Sequence, residues 1–82
     1  MSNESQHLLI GTAAGKGAES LRQAVAEISR VADCLDQVTS LNDLDGLDTR
    51  LLMAGGTVAM VETAINRLLH GFGEDALDLL GD

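Results

Sequence analysis

The chain has 82 residues and carries 13 acidic against 5 basic side chains, a formal net charge of −8. A chain of this length makes one domain, residues 1–82, near the size at which a single hydrophobic core becomes marginal. The charge argues against duplex nucleic acid or an anionic membrane surface as the main partner. Because Cys34 is the single cysteine and neither a signal-peptide pattern nor a membrane-length apolar run is present, we expect a cytoplasmic protein.

Helix is the secondary structure that the composition favours. Apolar residues make up 45% of the chain, proline is absent, and no stretch alternates apolar with polar residues as a strand would. We expect residues 1–7 to fray. In residues 11–17, glycines each cost a helix about 1 kcal/mol relative to alanine, so the helix either breaks here or depends on close packing.

Two long helices and one short helix follow in chain order. The first spans residues 18–38, where apolar residues recur at steps of three and four: Leu21, Val25, Ile28, Ala32, Leu35 and Val38. Residues 39–47 are rich in turn and capping residues, and a connection this short predicts an antiparallel helical hairpin. Asp48 is the predicted N-cap of the second helix and Gly71 its C-terminal cap, and residues 74–80 form a final short helix.

The second long helix is apolar over more than one face. One stripe contains Leu51, Ala54, Val58, Val61, Ile65 and Leu68, and a second contains Met53, Thr57, Met60 and Ala64. A lone surface helix keeps about half of its circumference polar, so this helix requires neighbours on two sides. A chain this short does not supply both. We therefore predict an all-α fold, a small helical hairpin with short flanking helices that assembles as a homo-oligomer.

Small residues in the middle of this helix predict a crossing point at positions 54–56 and 59. Another helix can approach closely there, and Thr57 can reach across to it. The alternative is a kink at the glycine pair. The residues assigned to a subunit interface are Leu51, Met53, Gly55, Gly56, Met60 and Val61.

Two segments look like known catalytic or metal-binding motifs, but the spacing of their residues differs from that of the motifs. The segment G-T-A-A-G-K-G has three residues where a nucleotide-hydrolysing phosphate loop has four, and Gly17 follows the lysine. Counting back from Gly46 places leucines at the first and last ligand positions of a calcium loop. The residues His7, His70 and Cys34 form no arrangement with catalytic or metal-site spacing. We expect no enzyme activity, no metal site and no cofactor.

An anion can still bind, without hydrolysis, at two basic residues. Lys16 and Arg50 lie at expected helix starts, where backbone N–H groups and the helix dipole favour a phosphate. The alternative for Arg50 is a solvated side chain that pairs with Asp48 or Glu62. On the residues alone, both interpretations of Arg50 stay open.

The second long helix also carries a pattern found in a known family. Its start, Asp48-Thr49-Arg50-Leu51-Leu52, is followed by Thr57 seven residues after Arg50 and by an apolar run to Asn66-Arg67. This pattern is similar to the C-terminal helix of the phage anti-CBASS cyclic-oligonucleotide sponges (anti-CBASS protein 2). Residues 16–21 resemble the opening of their first long helix. Leu51 stands where that family usually has an aromatic residue, and Glu62-Thr63 where it has a glycine-aromatic pair.

The resemblance implies a homo-oligomer, often a hexamer, that binds cyclic di- or trinucleotides between subunits. Such a protein sequesters these signals from host antiphage defence without catalysis, and for a phage protein the location is the host cytoplasm. The resemblance adds Thr57 to Lys16 and Arg50 as ligand residues, with His7 in place of a base-stacking tyrosine. The alternative function is a small acidic interaction module that docks on a host protein.

Overall fold

The computed structural model describes residues 3–81, and side chains from His7 onward. Three α-helices follow one another: α1 (Asn3–Asp36), α2 (Leu47–Leu69) and α3 (Gly73–Leu79). A short 3-10 helix, Leu41–Leu44, lies between α1 and α2. Residues 3–81 contain no strand, and the predicted all-α class is confirmed.

Helix α1 runs without a break through the glycine-rich segment. It begins at Asn3, so residues 3–7 of the segment expected to fray are helical, while residues 1 and 2 lie outside the described part. Gly17 is buried, and a Cβ built on it would lie 3.4 Å from Cγ1 of Val61 in α2. The helix therefore continues through residues 11–17 with close packing at Gly17, whereas a Cβ added at Gly11 or Gly15 would meet no atom within 4 Å.

Two contacts show the relative direction of α1 and α2. Gly17 of α1 lies against Val61 of α2, and Glu27, ten residues after Gly17, bonds to Arg50, which is eleven residues before Val61. The two helices therefore run side by side in opposite directions over this stretch. The resulting shape is long and thin, 58 × 18 × 14 Å.

Hydrogen bonds to the side chain of one aspartate hold the connection between the long helices. Asp43 accepts hydrogen bonds from the backbone N–H of Thr39 (3.0 Å) and of Ser40 (3.2 Å), and from the Thr39 hydroxyl. These bonds lower the pKa of Asp43, the Thr39 amide contributing most. The prediction that Asp48 caps α2 is wrong: Gly46, with φ of 83°, is the N-cap, and Asp48 lies inside the first turn. The left-handed backbone at position 46 favours glycine over a capping aspartate.

The C-terminal end of α2 is closed as predicted. Gly71 has φ of 84°, its N–H bonds to the Leu68 carbonyl, and the N–H of Phe72 bonds to the Arg67 carbonyl at 2.8 Å. This pair of bonds is the Schellman motif, which satisfies two carbonyls that the helix end leaves without partners. Helix α3 then turns back onto α1, where the Leu9 side chain occupies the space that a Cβ at Gly73 would take.

The core consists of small side chains. The buried residues are Ala13, Ala24, Val31, Leu47, Ala54, Val61, Ala64 and Ala76. Short side chains let the two helix backbones approach closely, so α2 packs on the alanine and glycine row of α1 rather than on its predicted stripe. As a result Val25 remains 64% exposed and Leu35 49% exposed. The single chain therefore leaves much of its aliphatic surface in water.

This packing places three of the residues that the sequence assigns to a subunit interface. Val61, predicted at a subunit interface, is 3% exposed because it packs against α1 of its own chain. Gly55 and Gly56 lie on exposed α2 surface, where a Cβ added to either would meet no atom within 4 Å, and α2 continues through both. The crossing inside the chain therefore uses Gly17 and Val61 instead of the glycine pair.

Candidate functional site

The α1–α2 pair has two chemically different sides. We call one the basic side. Its α1 row is Lys16, Ser20, Gln23, Glu27, Arg30 and Cys34, and its α2 row is Arg50, Met53, Thr57, Met60 and Arg67, with the buried Ala64 between the last two. Both rows step by three and four residues, the spacing that keeps side chains on one side of a helix. The contact between Glu27 and Arg50 joins them. Four of the 5 basic side chains therefore share this side, and only Arg22 lies elsewhere.

The other side, which we call the apolar side, is defined by a second pair of rows. In α1 it contains Ala14, Ala18, Leu21, Val25, Ile28, Ala32 and Leu35, and in α2 it contains Leu51, Gly55, Val58, Glu62, Ile65 and Leu69. Leu35 and Leu51 line one groove, and Leu21 and Ile65 line another. These shared grooves show that the two rows meet on the same side of the molecule.

Glu27 is the central residue of the basic side. Its Oε1 accepts a hydrogen bond from Nε of Arg50 at 2.6 Å, and its Oε2 accepts one from Nη1 of Arg30 at 3.0 Å. The two guanidinium groups lower the pKa of Glu27, Arg50 more strongly than Arg30. In return the carboxylate raises the pKa of Arg50, with a smaller contribution from the Cys34 thiol. One carboxylate thus holds two arginines from two helices.

The remaining arginine of the basic side also has an acidic partner. Nη1 of Arg67 lies 3.6 Å from Oδ2 of Asp75 in α3. Both side chains are about half exposed, so this pair contributes little to stability. Beside it, Asn66, His70 and Phe72 complete a shallow groove at the α2–α3 corner.

The predicted ligand residues are only partly brought together. Lys16 lies well inside α1 instead of at a helix start, eleven positions before Glu27, about 16 Å along the axis at 1.5 Å per residue. Thr57 shares the basic side, and its hydroxyl donates to the Met53 carbonyl at 3.3 Å. His7 is exposed and, at seven-residue spacing from Ala14, belongs to the apolar side.

Arg50 is in the first turn of α2, as predicted, but its partner is neither of the acids considered. Asp48 and Glu62 are on its own helix, whereas Glu27 is on the neighbouring one. From the sequence, Glu27 and Arg30 belong to the solvated face of the first long helix, where solvation or pairing with a nearby acid explains Arg30. The spacing of three residues between them indicates a helical ion pair. Nothing in the sequence indicates that Arg50, 23 residues away, joins the same carboxylate.

The described residues offer little other chemistry. Among the described side chains, residues 7–81, no group of three or more His, Cys, Asp or Glu residues is arranged to hold a metal ion. Among the described helices, none combines the length and hydropathy needed to cross a membrane. What the basic side presents is a set of hydrogen-bond donors suited to an oxyanion, because guanidinium groups bind carboxylates and phosphates with the same geometry.

No protein-family model, curated protein or solved structure matches this chain. Its function therefore has to be argued from the arrangement of its own side chains.

Proposed function

We propose that the protein binds cyclic di- or trinucleotides without catalysis, as a homo-oligomer of helical hairpins, and so withdraws these signals from host antiphage defence. The ligand phosphate occupies the basic side, where it takes the place of the Glu27 carboxylate between Arg30 and Arg50. The resemblance of residues 48–67 to the anti-CBASS sponges supplies the ligand class. The arrangement of the two arginines supports an oxyanion site.

The observation that carries this proposal is the shared carboxylate. Glu27 receives N–H donors from Arg30 at 3.0 Å and from Arg50 at 2.6 Å. A phosphate offers more acceptor oxygens and more negative charge than a carboxylate, and it gains from both guanidinium groups. Glu27 then acts as an internal competitor that holds the arginines in position until the ligand displaces it.

Two neighbouring features suit the rest of such a ligand. Met53 and Met60 expose apolar thioether side chains on the basic side, 69% and 43% exposed, and a flat base can pack against them. Thr57 lies between them along the same row. Lys16, about 16 Å from the arginine pair, reaches only an extended ligand or acts through longer-range attraction in a chain of net charge −8.

Calorimetry with a panel of cyclic di- and trinucleotides tests the proposal. We expect Arg30→Ala and Arg50→Ala each to weaken binding by about tenfold or more, the loss of a hydrogen bond to a charged group. Glu27→Gln removes the competing charge and should tighten binding. Lys16→Ala should weaken it less than either arginine substitution.

Arg22→Ala is the matched control, because it changes the net charge equally but lies outside the basic side. It should leave affinity within about twofold, the change left to long-range charge once salt screens it. No binding heat with any cyclic nucleotide in the panel would end the sponge proposal. A loss with Arg22→Ala as large as that with Arg50→Ala would show that net charge, rather than the arginine pair, governs binding.

One observation favours a second candidate function. The apolar side leaves Leu51, Val58 and Ile65 between 42% and 50% exposed, which suits a small acidic interaction module that docks on another protein. The two candidates differ in free oligomeric state. A wild-type protein that sediments as a monomer at micromolar concentration and binds no cyclic nucleotide supports the interaction module.

A further inference from the structure

The apolar side extends along α1 from Ala14 to Leu35 and along α2 from Leu51 to Leu69. Its exposed aliphatic side chains include Val25 (64% exposed), Ile28 (39%), Leu35 (49%), Leu51 (46%), Val58 (42%), Ile65 (50%) and Leu69 (78%). The α1 row from Ala14 to Leu35 contains no charged residue, and the α2 row contains only Glu62. In a chain where charged residues make up 22%, this is a large uncharged surface.

The core inside the single chain buries little apolar surface compared with the apolar surface that stays exposed. Among the described residues no large side chain is fully buried, and five of the eight core residues are alanines. Burial of an alanine contributes far less than burial of a leucine or isoleucine, because stabilisation follows the apolar area removed from water. The single cysteine forms no disulfide within the chain, and covering the apolar side with another protein surface adds buried apolar area to this small core.

The dimensions of the apolar side can be compared with those of protein interfaces. Helix α2 has 23 residues and is about 35 Å long at 1.5 Å per residue, so with the 18 Å width of the molecule one side of the α1–α2 pair covers about 600 Å² in projection. Specific, stable interfaces bury about 600 to 1,000 Å² on each partner. One side of the α1–α2 pair therefore reaches the lower end of the range for a stable dimer.

We infer that the apolar side is the interface with a second copy of the chain, related by a two-fold axis. A two-fold interface places the same surface patch on both partners, so that patch has to be self-complementary. An uncharged aliphatic surface meets this condition, whereas the basic side, with four cations against the single Glu27 carboxylate in its rows, is less suited to meet its own copy. A cavity of about 220 Å³ lined by Leu21, Ile65 and Leu80 offers room for an apolar side chain of the partner.

This inference rests on the self-association in the proposed function and assigns it to one side. The interface residues predicted from the sequence lie on both sides, Leu51 on the apolar side and Met53 and Met60 on the basic side. In the two-fold dimer the basic side faces away from the partner. Arg30 and Arg50 then stay open to a ligand on the outer surface of each copy.

Two lysine substitutions on the same helix separate the two sides. Val58 is 42% exposed on the apolar side, and Met60 is 43% exposed on the basic side, so a lysine meets similar surroundings within one chain. Sedimentation of both variants and of the wild type, over a range of protein concentrations, measures association. Far-UV circular dichroism and thermal melts of the same samples measure folding.

We expect Val58→Lys to raise the dimer dissociation constant at least a hundredfold or to unfold together with dissociation, whereas Met60→Lys remains a folded dimer. The wild-type melting temperature should rise with protein concentration, as it does when folding and association are coupled. A dimer that survives Val58→Lys, or dissociates equally with Met60→Lys, overturns the inference, as does a monomeric wild type.

Failure of the proposed ligand binding and failure of the inferred interface give different experimental results. A dimer that Val58→Lys dissociates but that binds no cyclic nucleotide retains this interface and ends the sponge proposal. Cyclic-nucleotide binding that persists in an oligomer insensitive to Val58→Lys retains the sponge and removes the interface.

Discussion

Two valines of α2, three positions apart, offer a quantitative test of where this protein buries its surface. Val61 is 3% exposed against α1, and Val58 is 42% exposed on the apolar side. Truncation to alanine removes two methyl groups, about 1.6 kcal/mol of transfer free energy for a buried valine at about 0.8 kcal/mol each. The same truncation gains about 0.5 kcal/mol in helix propensity at either position. The propensity gain therefore cancels when the two variants are compared.

For Val61→Ala we expect the free energy of unfolding to fall by about 1 to 2 kcal/mol, because a residual cavity adds to the transfer loss. In an isolated chain the exposure of Val58 reduces its transfer loss to about 0.9 kcal/mol, for a net fall of about 0.4 kcal/mol. In the inferred dimer a partner covers Val58. The cost of Val58→Ala should then approach that of Val61→Ala.

Urea and thermal denaturation of both variants at one fixed protein concentration measure the difference. For a domain of this size, 1 kcal/mol corresponds to about 4 to 8 °C in melting temperature, so the two cases are resolvable. If Val61→Ala is neutral, Val61 does not lie between α1 and α2 and the helix register is wrong. If Val58→Ala costs clearly less than Val61→Ala, Val58 faces water in the native protein.

Two further predictions address the glycine segment and the carboxylate of the basic side. Gly15 is exposed and helical, and a Cβ added to it would meet no other atom within 4 Å. Gly15→Ala should therefore raise the free energy of unfolding by about 1 kcal/mol in a denaturant melt, and a decrease would contradict a helix at this position. Because the folded-state pKa of Glu27 lies below its ordinary value of 4.5, its ion pairs stabilise the fold above that pH and lose this effect as the pH falls through the lowered pKa. Stability measured from pH 7 to pH 3 should therefore decline less steeply in Glu27→Gln than in the wild type, and an unchanged decline would show that Glu27 is not linked to folding.

Local features of this protein follow directly from its sequence. The absence of proline and of alternating strand patterns determines the all-α class, and Gly71 ends α2 because a left-handed residue closes the last carbonyls. The turn-rich segment does form the connection between the long helices, and residues 74–80 do mark α3 to within one position. These features depend on interactions within a few residues, which a sequence displays.

Which face of each helix is buried depended on the tertiary structure. Periodicity identified apolar stripes, but the α1–α2 seam selected the alanines and Gly17 beside the α1 stripe, because small side chains permit the closest approach of two backbones. The same seam moved Val61 from the predicted interface into the core. It also brought Arg50 to Glu27 across 23 residues of sequence. Only helix packing sets such a long-range pair, because no local spacing specifies which residues of two helices meet.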